Sequence, residues 1–227
     1  MILVTGADGT VGTALVKELQ LRGERPRMAY YSGDKAEKAR AASQDAVALD
    51  FAKPETIRPA LAGVDKVFLL GTGGLGQAEG EINVVNETKA AGIRRIVKLS
   101  VWQAETEAFE FARIHRRVER AIEAPGLEWT FLRPNGFMQN FANYMGATIK
   151  AQNAFYQNAA HTRTSHIDAR DIARVAAVGP HRERARRQGV QAVGPPGPVL
   201  WRRGGNPVEG DRRQEHYHKP ASISAAP

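Results

Sequence analysis

Residues 1–23, MILVTGADGTVGTALVKELQLRG, decide the fold. The first five residues form an apolar run typical of a strand buried on both faces of a sheet. Glycines follow at positions 6, 9 and 12, and apolar residues then recur at helical spacing up to Gly23. A strand, a glycine-rich turn and a helix in this order predict a phosphate-binding loop. In such a loop Gly6 permits a tight turn, Gly9 admits a pyrophosphate, and Gly12 allows close packing of helix on strand. The amide groups of the helix N-terminus, at Thr10 and Val11, would face that pyrophosphate.

The same alternation continues along the chain. Residues 27–31, 46–49, 66–70, 95–100 and 128–132 are predicted strands, and several of them are separated by segments with helical patterning. Strands joined by helical crossovers imply a parallel sheet with right-handed connections. We therefore predict an α/β fold over residues 1–178, a doubly wound parallel sheet of the Rossmann NAD(P)-binding type.

Composition limits the class of protein. With 227 residues, the chain is long enough for one domain, or for one domain with an appendage. It contains no cysteine, which excludes disulfides, thiolate metal sites and a cysteine nucleophile. No apolar run approaches the roughly 18 residues that cross a bilayer, and no signal-type segment precedes the first strand. The sequence predicts a cytoplasmic protein without a membrane partner. We also expect no metal, because the spacing of His161, His166 and Asp168 matches no established ligand pattern.

The positive charge is concentrated in one part of the chain. Residues 1–178 hold 23 basic and 20 acidic residues, a net of +3, so the last 49 residues carry +5 of the total +8. Clustered arginines with Trp201 and Tyr217 would suit an arm that binds nucleic acid. Because the body is nearly balanced, we do not expect a nucleic-acid partner for it.

The end of the second strand bears on the choice of cofactor. An NAD site usually places a carboxylate there, to bind the ribose 2′-hydroxyl. This chain has Tyr31 and Ser32, with Lys35 shortly after them. A hydroxyl and an ammonium suit a 2′-phosphate, so NADP(H) is favoured over NAD(H), although a solvated turn would also explain these residues. Asp8 is unfavourable, because it adds a negative charge near the phosphates.

Four segments resemble a known family, the NmrA-like group of atypical short-chain dehydrogenases/reductases. They are the GADGTVG loop at 6–12, IVKLSVW at 96–102, IHRRVERAIEAPGLEWTFLRPNGFMQNF at 114–141 and HIDARDIA at 166–173. The resemblance implies an NAD(P)H-dependent oxidoreductase that transfers hydride to a quinone-like or other small organic acceptor. Because the family also includes redox regulators, the alternative is a non-catalytic NADP(H) sensor that acts through a protein partner.

The resemblance also implies site residues. Asp50 and Phe51 would contact the adenine. Ser100 would face the nicotinamide as a catalytic residue that assists hydride transfer. Further residues would line the cofactor or border the acceptor, although ordinary core packing would explain at least two of the latter. The cofactor set is Leu70, Gly71, Thr72, Pro134 and Asn135, and the acceptor set is Phe137, Met138, Asn140 and Phe141.

A proton donor is less easily assigned. Typical short-chain dehydrogenases carry Tyr-x-x-x-Lys on the helix after the fifth strand, and the literal match at Tyr31–Lys35 lies in the wrong place. On the expected helix, His115 is the candidate, with Glu119 four residues later on the same face. The alternative is a solvated or structural histidine. The arginines of this helix interleave with Glu107, Glu110, Glu119 and Glu123, which predicts a solvated, ion-paired face. Hydride transfer to a quinone needs little acid catalysis, so the missing tyrosine does not exclude a reductase.

The segment 179–227 departs from the preceding pattern. It holds seven of the 12 prolines and shows neither helical nor alternating periodicity. Disorder would explain this composition. A frameshift near 177–179 would explain it too, because a one-base shift over 181–212 can yield a family-like segment, and the coding DNA would test this directly. We therefore predict an incomplete C-terminal substrate subdomain. If the frameshift hypothesis holds, the substrate pocket lacks a wall and activity is reduced or absent.

Overall fold

A parallel sheet of seven strands forms the centre of the protein, in the order β3-β2-β1-β4-β5-β6-β9. The computed structural model describes residues 1–71, 73–74, 76–123, 126–154, 165–178 and the backbone of 188–192. The first six strands are arranged as the sequence predicts, and the predicted doubly wound fold is confirmed. The strands of this sheet are β1 (Ile2–Val4), β2 (Arg27–Tyr30), β3 (Ala46–Ala48), β4 (Lys66–Leu69), β5 (Arg95–Leu99), β6 (Glu128–Pro134) and β9 (Gln188–Ala192).

Helices connect these strands, and a second, two-stranded parallel sheet pairs β7 (Gly136–Phe137) with β8 (His166–Ile167). The helix α2 was not among the predicted elements, because alanines supply all of its buried residues and leave little apolar periodicity. The helices are α1 (Thr10–Leu21), α2 (Gly33–Ala41), α3 (Pro54–Ala60), α4 (Gln77–Ala90), α5 (Glu110–Glu123), α6 (Gln139–Asn143), α7 (Gly146–Gln152) and α8 (Ala169–Val178), with a 3₁₀ turn at Ala104–Thr106.

The core lies in two layers, one on each face of the sheet. Alternate strand residues point to opposite faces, so Val4 of β1 packs with α1 and α8, while its neighbour Leu3 packs with α3, α4 and α5. This two-sided burial explains the short, continuous apolar strands in the sequence. It also leaves the carboxyl ends of the strands as the edge where loops converge, and ligands bind at that edge in such sheets.

The seventh strand, β9, lies beyond residue 178, where the sequence pattern predicts no regular structure. It pairs in parallel with β6, with Leu132 opposite Val190. A strand at the edge of a sheet is held by hydrogen bonds to its neighbouring strand, and the pattern of its own side chains does not reveal that pairing. The rest of the tail, 179–187 and 193–227, lies outside the described residues, so the domain boundary and the frameshift stay predictions.

Within the described part of the chain, no helix is both long and apolar enough to span a membrane.

Candidate functional site

The glycine loop turns sharply between β1 and α1. Gly6 has a φ of +59°, which a side chain would strain, and its carbonyl accepts a hydrogen bond from the amide of Gly9 at 2.9 Å. A Cβ on Gly12 would lie 2.0 Å from the same carbonyl oxygen. The loop is also tied to β2, because the amide of Ala7 donates to the carbonyl of Ala29 at 3.3 Å. Helix and loop therefore have one close-packed arrangement, as the glycine spacing predicts.

The N-terminus of α1 is suited to a phosphate. Gly9 is its N-cap, no described side chain caps it, and its first turn holds no acidic residue. The amide groups of Thr10 and Val11 begin this helix, and uncapped amides with the positive end of the helix dipole attract anions.

An ion pair joins this loop to the turn after β2. The Lys35 ammonium lies 2.5 Å from the Asp8 carboxylate. Its hydrogen bond and charge attraction to Asp8 raise the pKa of Lys35. Ser32 caps α2, accepting a hydrogen bond from the Lys35 amide at 3.4 Å, and Tyr31 is exposed. The sequence drew attention to both charges but did not predict that they meet.

Asp50 and Phe51 follow β3 at the same edge. The Asp50 carboxylate accepts a hydrogen bond from the amide of Ala52 at 3.0 Å, which makes a local turn. Phe51 packs so closely against α4 that a Cβ on Gly80 would lie 2.9 Å from it. Asn83 on the same helix donates to the Phe51 carbonyl at 3.0 Å. The loop that the resemblance places near the adenine is thus anchored on α4.

The loop after β4 is anchored to β1 and α4. The Thr5 hydroxyl donates to the Leu70 carbonyl at 3.0 Å and accepts from the Leu70 amide at 2.8 Å. A Cβ on Gly71 would lie 2.2 Å from the carboxylate of Glu81, so α4 limits residue 71 to glycine. Thr72, the third predicted residue of this loop, lies outside the described residues.

A buried charge pair lies behind Gly71, and the sequence did not predict it. Lys98 on β5 and Glu81 on α4 are both fully buried, with 2.7 Å between ammonium and carboxylate. Lys98 also donates to the Leu99 carbonyl, and Gln77 donates to the second Glu81 oxygen at 2.8 Å. The sequence signal was a lysine between the apolar residues Val97 and Leu99 of β5.

His115 on α5 extends this polar cluster. It is 4% exposed, its Nε2 lies 3.5 Å from the Gln77 amide nitrogen, and Phe111 packs edge-on against its ring. Burial and the nearby Lys98 lower the pKa of His115 to about 2, so its imidazole is neutral at physiological pH. The histidine is buried rather than solvated, and its Nδ1 has no hydrogen-bond partner among the described residues.

This burial predicts a specific dependence of stability on pH. Below a pH of about 6.5, His115 of the unfolded chain binds a proton that His115 of the folded protein does not. The free energy of unfolding therefore falls by about 1.4 kcal/mol for each further pH unit. We expect His115→Gln to remove this loss. Urea unfolding at pH 7.0 and 5.0 should show the wild type losing about 2 kcal/mol more than the variant. Equal losses in the two proteins would contradict a neutral, buried imidazole.

Ser100 at the end of β5 donates to the Glu119 carboxylate at 2.7 Å. Glu119 is fully buried, and Arg133 binds both of its oxygens at 2.9 and 2.8 Å. Although burial opposes it, bonding to Arg133 and Ser100 holds the pKa of Glu119 below its usual range. The sequence grouped Glu119 with a solvated charged face, and that is wrong. Some other charged residues of α5 do form exposed ion pairs, such as Arg113 with Glu110.

Pro134 and Asn135 end β6 at the same edge. The Pro134 carbonyl accepts from the amide of Trp102 at 2.8 Å, which joins the loops after β5 and β6. The Asn135 side chain donates to the Ser165 carbonyl, while its Oδ1 is buried and has no partner among the described residues. An unpaired buried acceptor is costly, and a ligand N–H such as a carboxamide would satisfy it.

The predicted acceptor residues differ in their surroundings. Phe137 packs against the core layer formed with α1 and α8, and Phe141 lies 4.9 Å from the ring of His166. Asn140 accepts a backbone hydrogen bond from Tyr144, and Met138 is 45% exposed. Sequence reasoning missed Trp102, which follows β5 and is 40% exposed, and Phe111, which lies in the first turn of α5 and is 43% exposed. Aromatic residues so close to Ser100 and His115 could have indicated them.

These features fit an NAD(P)H molecule. The uncapped helix α1 suits a pyrophosphate, and the unpaired Asn135 acceptor suits the carboxamide of a nicotinamide ring. Both lie at the carboxyl ends of β1 and β6, across the edge where dinucleotides bind in doubly wound sheets.

Known proteins resemble this chain in sequence and in fold. A family model described as NAD(P)H-binding matches residues 6–178. The NAD(P)H azoreductase of Xenophilus azovorans is 32% identical over 177 residues, which cover 78% of this chain and 62% of that protein. The chain thus spans about six-tenths of the length of this relative.

Two solved structures share the fold at lower identity. The NADPH-dependent quinone oxidoreductase of Escherichia coli, complexed with NADPH, superposes with a TM-score of 0.78 at 23% identity, covering 88% of this chain and 71% of that one. The triphenylmethane reductase of Citrobacter sp., complexed with NADP(H), has a TM-score of 0.76 at 23% identity, covering 85% and 70%. Both show that this chain has the same fold, and the family match together with the azoreductase confirms the predicted resemblance.

Proposed function

The chain belongs to the NAD(P)H-binding family, and we propose that it is a reductase that transfers hydride from NAD(P)H to a quinone-like or azo-type small organic acceptor. The observation that carries the proposal is the pairing of an uncapped glycine-loop helix with the unpaired Asn135 acceptor at one edge of the sheet. The azoreductase relative supports a small aromatic acceptor, since it shares 32% identity with this chain.

Several residues of the chain would hold the cofactor. The amides of Thr10, Val11 and Gly12 would bind the pyrophosphate, because no described side chain caps this helix. Asp50 and Phe51 would border the adenine, and Asn135 would accept from the carboxamide. NADP(H) is the favoured form, because the Lys35 ammonium and the Ser32 hydroxyl lie after β2, where a 2′-phosphate binds. When bound, the reduced nicotinamide supplies the hydride.

The acceptor would lie against half-exposed aromatic and thioether side chains. Between 40% and 45% of the surface of three side chains is exposed: Trp102 after β5, Phe111 in the first turn of α5 and Met138 after β7. Flat aromatic acceptors bind such surfaces by stacking and by burying apolar area. Phe137, Asn140 and Phe141 would support this wall from the segment after β6.

The two buried polar clusters hold the candidate proton donors, Ser100 and His115. Ser100 is engaged with Glu119, so its hydroxyl orients the end of β5 rather than lying free. His115 is neutral, so it would act as a hydrogen-bond donor and not as an imidazolium acid. A quinone or azo group can accept hydride first and take its proton from water afterwards, which suits a site without a strong acid.

Turnover with purified protein tests this function. We expect NADPH absorbance to fall in the presence of members of a panel of quinones and azo dyes, and NADPH binding to be measurable by calorimetry. The matched controls are a reaction without acceptor and the variant Asn135→Ala, which should weaken NADPH binding by about tenfold because it removes the carboxamide acceptor. Tight NADPH binding without oxidation by any acceptor would favour a redox sensor and contradict the reductase.

A further inference from the structure

The ion pair between Asp8 and Lys35 connects the phosphate loop to the turn that distinguishes the two dinucleotides. We propose that Asp8 is a specificity-determining residue, which competes with the 2′-phosphate for Lys35 and so narrows the preference for NADP(H) over NAD(H). This inference rests on the proposed function and assigns a role to a residue that the glycine pattern does not require.

The Asp8 carboxylate and the Lys35 ammonium both lie where the ribose of the adenosine would bind. Asp8 lies in the loop after β1 and Lys35 in the first turn of α2 after β2, and these two strands are parallel neighbours. The loop is held against β2 by the hydrogen bond from the Ala7 amide to the Ala29 carbonyl. In doubly wound sheets, the ribose of the adenosine lies between these two loops.

The side chains near the ribose position carry charges of both signs. The Asp8 and Lys35 side chains are 40% and 59% exposed and 2.5 Å apart, so both can reach a ligand. Asp34, in the first turn of α2, adds a second negative charge nearby. Tyr30 is uncharged at neutral pH, and burial and the Asp8 charge raise its pKa further above that range. The net charge of these four groups is therefore about −1.

A 2′-phosphate must displace one partner of the ion pair. It carries between one and two negative charges at neutral pH. It can bind the Lys35 ammonium only if that ammonium moves away from the Asp8 carboxylate or contacts both anions at once. Asp8 then lies unpaired next to another anion, which lowers the affinity that Lys35 would otherwise supply. The neutral 2′-hydroxyl of NAD(H) meets no such conflict, because it can donate a hydrogen bond to Asp8 while the ion pair persists.

The test compares two fragments of the cofactor and needs no turnover. Calorimetry of adenosine 2′,5′-bisphosphate and of 5′-AMP gives a ratio of affinities that isolates the contribution of the 2′-phosphate. We expect Asp8→Asn to raise this ratio by about fivefold at low salt, and Lys35→Gln to lower it by a similar factor. Both effects should shrink in 0.5 M salt, because the side chains are exposed.

A charge-matched control comes from α1. Glu18 forms an ion pair with Arg22 on the exposed side of that helix, so Glu18→Gln removes one negative charge away from the turn after β2. Its ratio should equal that of the wild type. If Asp8→Asn changes both affinities equally, or leaves the ratio within about twofold, Asp8 does not set specificity. If neither fragment nor NADPH binds to the wild type, the proposed function fails together with this inference.

Discussion

Replacing Lys98 by methionine will destabilise the protein by about 3–5 kcal/mol, because it leaves the Glu81 carboxylate buried without its counter-ion. Both side chains are fully buried, and the two charges lie 2.7 Å apart. After the change, Gln77 would remain as the hydrogen-bond donor to this carboxylate. The carboxylate also contacts Gly71, so its movement or protonation will disturb the loop after β4 and weaken NADPH binding.

The size of this effect is measured by urea unfolding followed by circular dichroism. The double variant Lys98→Met with Glu81→Gln should recover part of the lost stability, because a neutral amide is far easier to bury than an unpaired carboxylate. As a matched control, Arg22→Met breaks the exposed pair with Glu18 and should cost less than about 1 kcal/mol. A loss of under 1 kcal/mol for Lys98→Met would show that Glu81 finds another partner or becomes protonated without cost.

Replacing Gly12 by alanine will weaken NADPH binding by about tenfold or more and destabilise the protein by about 2–3 kcal/mol. The new Cβ would lie 2.0 Å from the Gly6 carbonyl oxygen and 3.0 Å from the Cα of Ala7. Both are backbone atoms, so the glycine loop itself has to move. A moved loop no longer directs the first amides of α1 towards a pyrophosphate.

The matched control is Gly33→Ala at the start of α2. A Cβ there meets no described atom within 4 Å, so stability should change by no more than about 0.5 kcal/mol. Thermal unfolding of both variants tests the effect on stability, and NADPH titration compares Gly12→Ala with the wild type. If Gly12→Ala binds NADPH as tightly as the wild type, the loop after β1 does not hold the pyrophosphate.

The body of the fold was predictable because its signals are local. An apolar run or a glycine-rich turn is recognisable from about ten neighbouring residues. These local patterns predicted the first six strands and the phosphate loop. The helix α2 was missed, since Ala36 and Ala39 supply its buried side and alanine gives little periodic contrast. The edge strand β9 was missed because its pairing with β6 is not a property of its own residues.

The electrostatics of the site belong to the tertiary structure. Lys98 and Glu81, 17 residues apart, and Asp8 and Lys35, 27 residues apart, become partners only when their elements pack. Sequence patterns treat a charged residue as solvated, because burial of a charge is costly unless a partner is present. That partner is supplied from another strand or helix, as Arg133 of β6 does for Glu119 of α5. The sequence by itself determined a parallel sheet with a glycine loop at its first turn, because short-range periodicity encodes strands, turns and helices. Only the packing of those elements decided which charges are buried, which are paired and which face a ligand.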